Sequence, residues 1–317
     1  MPDEIHHPHD KIFRSGLSDP INAGAFLKNE IPEAVATLID WSRLRLEPGS
    51  FVDSHFRSSQ SDLLFSAPLA DRECFIYLLF EHQISRDPLL ALRLLRYMIR
   101  IWEAFLKDQP AATRLPVILP VVLAQNANVW NIEPQFSTLL DLPHDLRDEL
   151  RPFIPDFTFR LYQLAETSFE DIKGTPSGIL ILRAMKAERL KVLLHEAVWD
   201  EALLLKIPRE IFELIVRYVL ATDVDKGAFE AKIASIIDSE TRTTAMTLAQ
   251  QYRQEGRHEG AVESRHQDLL EVLLIRFGTI PEGLQEAVLA ITDEIKLRGL
   301  HRAAILSATI DEFAAAL

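Results

Sequence analysis

Seven consecutive residues, Cys74-Phe75-Ile76-Tyr77-Leu78-Leu79-Phe80, are apolar or aromatic without a break. The run is far too short to cross a membrane. Its aromatic content and continuous apolarity read as a buried central strand, covered on both faces. The neighbouring sequence supplies partners for it. Asp62-Leu63-Leu64-Phe65-Ser66 reads as a second strand, and Ala67 to Arg72 as a polar turn between the two, which makes a hairpin. Pro88 then opens a helical pattern from Leu89 to about Lys107, with Leu92, Leu95, Met98, Ile99 and Trp102 at three- and four-residue steps. Pro116 to Leu123 is short and β-branched, so it reads as a further strand. Strand, helix, strand in that order predicts a crossover unit and a mixed α/β sheet. A strand is also expected at Phe51-Val52, after the Pro48-Gly49 turn signal.

On either side of that core the pattern is helical. Asp19-Pro20 caps an early helix reaching about Lys28-Asn29. The character changes after Pro155, and Gly178 to Ala249 reads as helices broken near Lys206-Ile207-Pro208 and Asp223-Val224-Asp225. Gln250 to Leu317 is helical again; Gly278 ends one helix and Pro281-Glu282 begins another. Gln254 to Gly260 places two glycines four residues apart in a polar helix, read as a surface helix or hinge. A homo-oligomer formed through these C-terminal helices is one partner that the pattern suggests.

A chain of 317 residues with 48% hydrophobic content can build a sizeable core. One cysteine, Cys74, excludes an internal disulfide and any zinc site built from three or four cysteines. The N-terminus lacks the apolar core of a signal peptide, and no apolar run approaches the ~18 residues of a membrane helix. A cytoplasmic protein without membrane contact is expected. The net charge of −13 weighs against tight, non-specific nucleic-acid binding. The charge is uneven, however: between Arg86 and Arg114 stand Arg86, Arg93, Arg96, Arg100, Lys107 and Arg114 against Asp87, Glu103 and Asp108.

The chemistry points to Asp62 and to Glu81-His82-Gln83. Hydrolysis of a phosphodiester calls for a hard divalent cation that activates water and offsets transition-state charge. Mg²⁺ prefers oxygen ligands and keeps several waters, so two carboxylates suffice. Carboxylates at the ends of two neighbouring strands meet at one sheet edge, and a residue two positions beyond the second points to the same side. Asp62, Glu81 and Gln83 satisfy that pattern. They equally suit a plain arrangement, with Asp62 capping a turn and Glu81 closing a strand in solvent. Asp10, Glu30, Glu33 and Asp53 are further acids of possible accessory use. Arg93, Arg96 and Arg100 lie along one side of the helix after Glu81, as a solvated face or as a clamp on DNA phosphates.

Four segments occur in one order: His9-Asp10-Lys11-Ile12-Phe13, Ser61 to Phe65, Tyr77 to Gln83 and Leu92 to Met98. Together they resemble the signature segments of the recombination-promoting nuclease family, the YhgA-like transposases, over roughly residues 9 to 200. The resemblance implies a PD-(D/E)XK (restriction-endonuclease-like) fold in residues 1–165, a helical extension over 166–249 and a helical C-terminal section over 250–317. It further implies a Mg²⁺-dependent DNA endonuclease serving recombination or mobile DNA, with Asp62 and Glu81 as metal carboxylates. The rival is a catalytically inactive nuclease-fold protein acting as a DNA- or protein-binding module. Gln83 stands where the broader superfamily has lysine; it can orient the attacking water but adds no charge. Ala124-Gln125-Asn126 stands where a Tyr-His-Gly type sequence is expected, so the role of that loop is in doubt.

Overall fold

The computed structural model describes residues 8–48, 62–70, 72–81, 87–222 and 224–317. Three helices come first: α1 (Pro8–Leu17), α2 (Pro20–Glu30) and α3 (Glu33–Ala36). They are followed by β1 (Arg45–Leu46), β2 (Leu63–Leu69), β3 (Arg72–Glu81), α4 (Leu90–Asp108), β4 (Val117–Ala124), α5 (Arg147–Leu150) and β5 (Arg160–Gln163). The rest is helical: α6 (Pro176–Arg189), α7 (Glu201–Leu204), α8 (Arg209–Leu220), α9 (Lys226–Ala234), α10 (Ser239–Phe277), α11 (Glu282–Leu289), α12 (Glu294–Leu306) and α13 (Ile310–Ala314). The chain divides into two units, Met1–Met246 and Thr247–Leu317. Among the described residues no helix is long and apolar enough to cross a membrane.

The strands form a mixed sheet in the order β1-β2-β3-β4-β5. β1, β2 and β3 run antiparallel, and β3, β4 and β5 parallel. The hairpin and the crossover thus lie where the sequence places them. The turn between β2 and β3 is shorter than expected, because Ala67, Pro68 and Leu69 pair with Cys74, Glu73 and Arg72. Pro68 is tolerated within a strand since the ladder to β1 covers only Phe65 and Ser66, so its missing N–H costs no bond there. The expected Phe51-Val52 strand lies outside the described residues. α1, β1 and β5 are additions that the sequence pattern did not announce.

Period-two alternation divides the sheet's side chains between two covered faces. Leu64, Phe75, Ile118 and Val122 pack against Leu90, Leu94, Tyr97, Met98, Ile101 and Phe105 of α4. Of the expected stripe Met98 is in the core, but the buried face of α4 is turned from the rest of it: Leu92, Leu95 and Trp102 are its half-buried shoulder and Ile99 is exposed. Leu63, Phe65, Cys74, Ile76, Val121 and Leu123, on alternate positions, are just as buried. On that side α2 meets β5, with the Phe26 and Tyr162 rings edge to face at 5.1 Å. Burial pushes the Cys74 thiol up to about 11, which fits a small core hydrophobe.

α6 is buried along nearly its whole length. Thr175 caps it by accepting from Gly178 N at 3.0 Å. The same hydroxyl donates to Asn22 Oδ1 at 2.6 Å, and Asn22 Nδ2 donates to Gly16 O at 3.0 Å. One buried asparagine thereby ties α1 and α2 to the start of α6. Gly16 allows α1 to approach α6, since a Cβ there would collide with Ile181. In the second unit, Leu269, Leu273, Val288, Leu297, Leu300 and Phe313 form a separate core. Gly256 and Gly260 lie inside α10, where a Cβ on either would meet nothing within 4 Å, so packing within the chain does not require them.

Candidate active site

The antiparallel register pairs Leu63 with Leu78, which sets the start of β2 and the end of β3 at the same edge of the sheet. Asp62 directly precedes β2 and is half-buried. Glu81 is the last residue of β3 and stands opposite Ala124, the last residue of β4. Ala124 in turn stands opposite Gln163, the last residue of β5. One edge therefore collects Asp62, Glu81, the chain leaving β4 at Gln125-Asn126, and Gln163. Gln83 and Asp53 lie outside the described residues.

The chain leaving β4 is fixed by the helices. Gln125 is fully buried; its Nε2 donates to Met185 O at 2.8 Å and to the Tyr218 hydroxyl at 3.1 Å. Burial pushes the Tyr218 hydroxyl up, so it keeps its proton. That hydroxyl lies 2.8 Å from His9 Nδ1, which accepts from it in the tautomer protonated at Nε2. The backbone carbonyl of Gln125 accepts from Arg189 Nε at 3.0 Å. The loop whose role the sequence left in doubt is thus the point where α1, α6 and α8 are tied to the sheet edge. Gln125 Oε1 and Asn126 Oδ1, both buried, have no hydrogen-bond partner. Gln163 closes the β5 end by bonding both backbone groups of Trp130. Lys186 Nζ donates to Leu164 O at 2.6 Å, and burial holds its pKa below the usual lysine value.

Asp10 is buried in the first turn of α1. It neighbours His9, and the His9–Tyr218–Gln125 chain brings that turn to the carboxylate edge. Glu30 is drawn elsewhere. Its carboxylate accepts from Arg160 Nε at 2.9 Å, at the opposite end of β5 from Gln163. Glu33 is exposed. Of the three arginines on α4, Arg93 pairs with Asp87 at 3.6 Å and Arg100 with Glu103 at 3.0 Å, while Arg96 is exposed. α4 begins at the carboxylate edge and runs away from it, so Arg100 lies roughly 10 Å farther along its axis than Arg93. Among the described residues no group of three or more His, Cys, Asp or Glu could hold a metal. Sequence reasoning missed Gln125, Glu188, Arg189 and Tyr218. The only signal near them was the unexpected Ala124-Gln125-Asn126.

The chain is similar along its length to a protein of Escherichia coli (strain K12) described as "Inactive recombination-promoting nuclease-like protein RpnE". The two are 26% identical over 303 residues, which is 91% of this chain and 94% of that protein. Recombination-promoting nuclease RpnD of Escherichia coli O157:H7 is 33% identical over 115 residues, 36% of this chain and 44% of that protein. Recombination-promoting nuclease RpnA of Escherichia coli (strain K12) is 36% identical over 115 residues, 36% of this chain and 39% of that protein. The chain thus spans less than half the length of these two. No solved structure matches it. The family model described as "Putative transposase, YhgA-like" matches residues 7–225, and the chain belongs to this YhgA-like transposase family.

Proposed function

We propose that this chain is a metal-dependent endonuclease acting on DNA phosphodiesters, built on a PD-(D/E)XK-type core and serving recombination or mobile DNA. The observation that carries the reading is the β2–β3 hairpin, which sets two carboxylate residues, Asp62 and Glu81, at one end of the sheet. Names of the relatives agree with a nuclease and with recombination.

The residues at that edge suit a hard divalent cation such as Mg²⁺, because what Asp62 and Glu81 offer is carboxylate oxygen. Asp62 and Glu81 would hold the ion, with Asp10 as an accessory acid. A bound cation there supplies Lewis acidity at the phosphate and acidifies a water. Gln83 would orient the attacking water through a neutral hydrogen bond. The tied loop at Gln125 keeps the end of β4, and with it the Glu81 strand, from shifting when substrate binds.

A second reading is supported by the relative that matches over 94% of its length, whose name calls it inactive. On that reading the chain binds DNA or protein without cutting. Incubation with supercoiled plasmid separates the two. Nicking is expected only with Mg²⁺, and folded Asp62→Ala and Glu81→Ala should each abolish it. Wild-type cleavage rates in either variant would refute the site. Duplex binding without cleavage under any divalent cation would establish the second reading.

A further inference from the structure

The end of α6 carries a cluster of charges that the two-carboxylate site does not use. Val192 N donates to Ala187 O at 2.8 Å and Lys191 N to Glu188 O at 2.9 Å, a Schellman-type cap. Such a cap needs a left-handed residue just past the helix, and Lys191 sits there at φ 59°. Glycine commonly fills that position, because a Cβ is penalised in it. A lysine here is strained in a way the backbone role does not require, and strain of that kind gathers at functional sites.

Its side chain runs back to the helix. Lys191 Nζ donates to Glu188 Oε1 at 2.8 Å, yet the side chain is 77% exposed. One bond to Glu188 leaves two of the ammonium's three donors for another acceptor. The Glu188 carboxylate is only 6% exposed and lies between two cations: beside Lys191, its Oε2 is 3.6 Å from Arg189 Nε, with His9 Nδ1 3.9 Å away. Arg189 is also held by Gln125 O, one residue past the strand end that pairs with Glu81. Strand and Cα spacings put its guanidinium within roughly 15 Å of the Glu81 backbone.

A helix C-terminus attracts bases through its dipole. That accounts for a base near the end of α6. It does not account for a lysine in the left-handed position, nor for a buried carboxylate placed between two cations. We propose that Arg189 and Lys191, positioned by Glu188 and flanked by His9, form a seat for a nucleic-acid backbone phosphate next to the one being cut. This rests on the nuclease reading. It assigns backbone contact to the α6 end of the edge, beside the chain that leaves β4. A phosphate bound there accepts from both bases and carries no base identity.

Lys191→Gly tests the seat without threatening the fold, because glycine is the residue the left-handed cap prefers. Its melting temperature should equal or exceed wild type. Binding to a labelled duplex, measured by salt titration with Ca²⁺ replacing Mg²⁺, should weaken for all sequences alike. The slope of log affinity on log salt should flatten by about one unit. Arg189→Gln should do the same, and Lys191→Arg should keep the wild-type slope. Unchanged slopes in both folded charge-removing variants would overturn the seat, as would a loss confined to one duplex sequence. In either case, wild-type plasmid cleavage in Mg²⁺ would leave the nuclease reading standing. A wild-type protein that neither binds nor cuts DNA would overturn both.

Discussion

Gly16→Ala isolates the contact that seats α1 against α6. A Cβ at Gly16 would collide with Ile181 Cδ1 and lie 3.1 Å from both Cγ1 and Cγ2. All three atoms belong to one side chain that is 0% exposed and β-branched within a helix, where a single χ1 rotamer dominates. Turning χ2 moves only Cδ1 and leaves Cγ1 and Cγ2 at 3.1 Å, so the methyl must overpack the interface, at a cost of about 2–3 kcal/mol. Alanine recovers about 1 kcal/mol of helix propensity relative to glycine. The net expectation is a loss of about 1–2 kcal/mol, read as a lower denaturant midpoint at unchanged slope. Ile181→Val removes the colliding Cδ1. In the double variant the two changes should therefore couple favourably by about 1 kcal/mol. Gly16→Ala as stable as wild type, or a strictly additive double variant, would refute the steric account.

Two further predictions concern catalysis and pH. Gln83→Ala should slow plasmid cleavage ~10–100-fold, since one preorganised donor contributes at most roughly 2–4 kcal/mol, while Gln83→Lys stays active; an inactive lysine variant with normal metal binding would contradict the assignment. In the second unit, the hydrogen bond from Arg265 to Glu294 holds that carboxyl below the usual glutamate range. The folded unit then binds fewer protons than the unfolded chain as pH falls through that range, so this stability is present at neutral pH and lost on acidification. Glu294→Gln should flatten the pH dependence of that unit's melting; an unaltered profile would contradict it.

The strand order near the site was legible because local pattern and tertiary demand agree there. Cys74 to Phe80 is apolar at both parities, and β3 is the middle strand of five. The Asp19 cap and the Pro281 start were legible for a similar reason, because capping chemistry is local. β5 was not: four residues joined to β4 by a parallel ladder and a long connection have no period of their own. The phase of α4 was misjudged because Leu92, Leu95 and Ile99 are as apolar as the true stripe, and only the position of the sheet decides between them. Gln125, Tyr218 and His9 come from three distant segments, joined by two hydrogen bonds that no spacing rule can foresee.

The structural costs around the carboxylate edge bear on what that edge does. Gln125 Oε1 and Asn126 Oδ1 are buried acceptors without partners, and Glu188 Oε2 is a buried carboxylate oxygen with charges nearby but no hydrogen bond. A buried unsatisfied group costs roughly 1–3 kcal/mol. Lys191 in the left-handed region adds a further ~1 kcal/mol or more. Folding alone gains nothing from any of these, and against a typical total stability of about 5–15 kcal/mol they are large. They lie along the path from Glu81 through Ala124 and Gln125 to Arg189. A protein that used its fold only as a scaffold would be more stable with Gly at 191. Ala70 is left-handed too, at φ 55° in the β2–β3 turn, so left-handed backbone alone does not mark the edge; unmet polar valence beside it fits a site that completes its bonds with something outside the chain. That weighs for a binding edge over a bare scaffold, despite the −13 net charge, because a phosphate needs bases only where it lands.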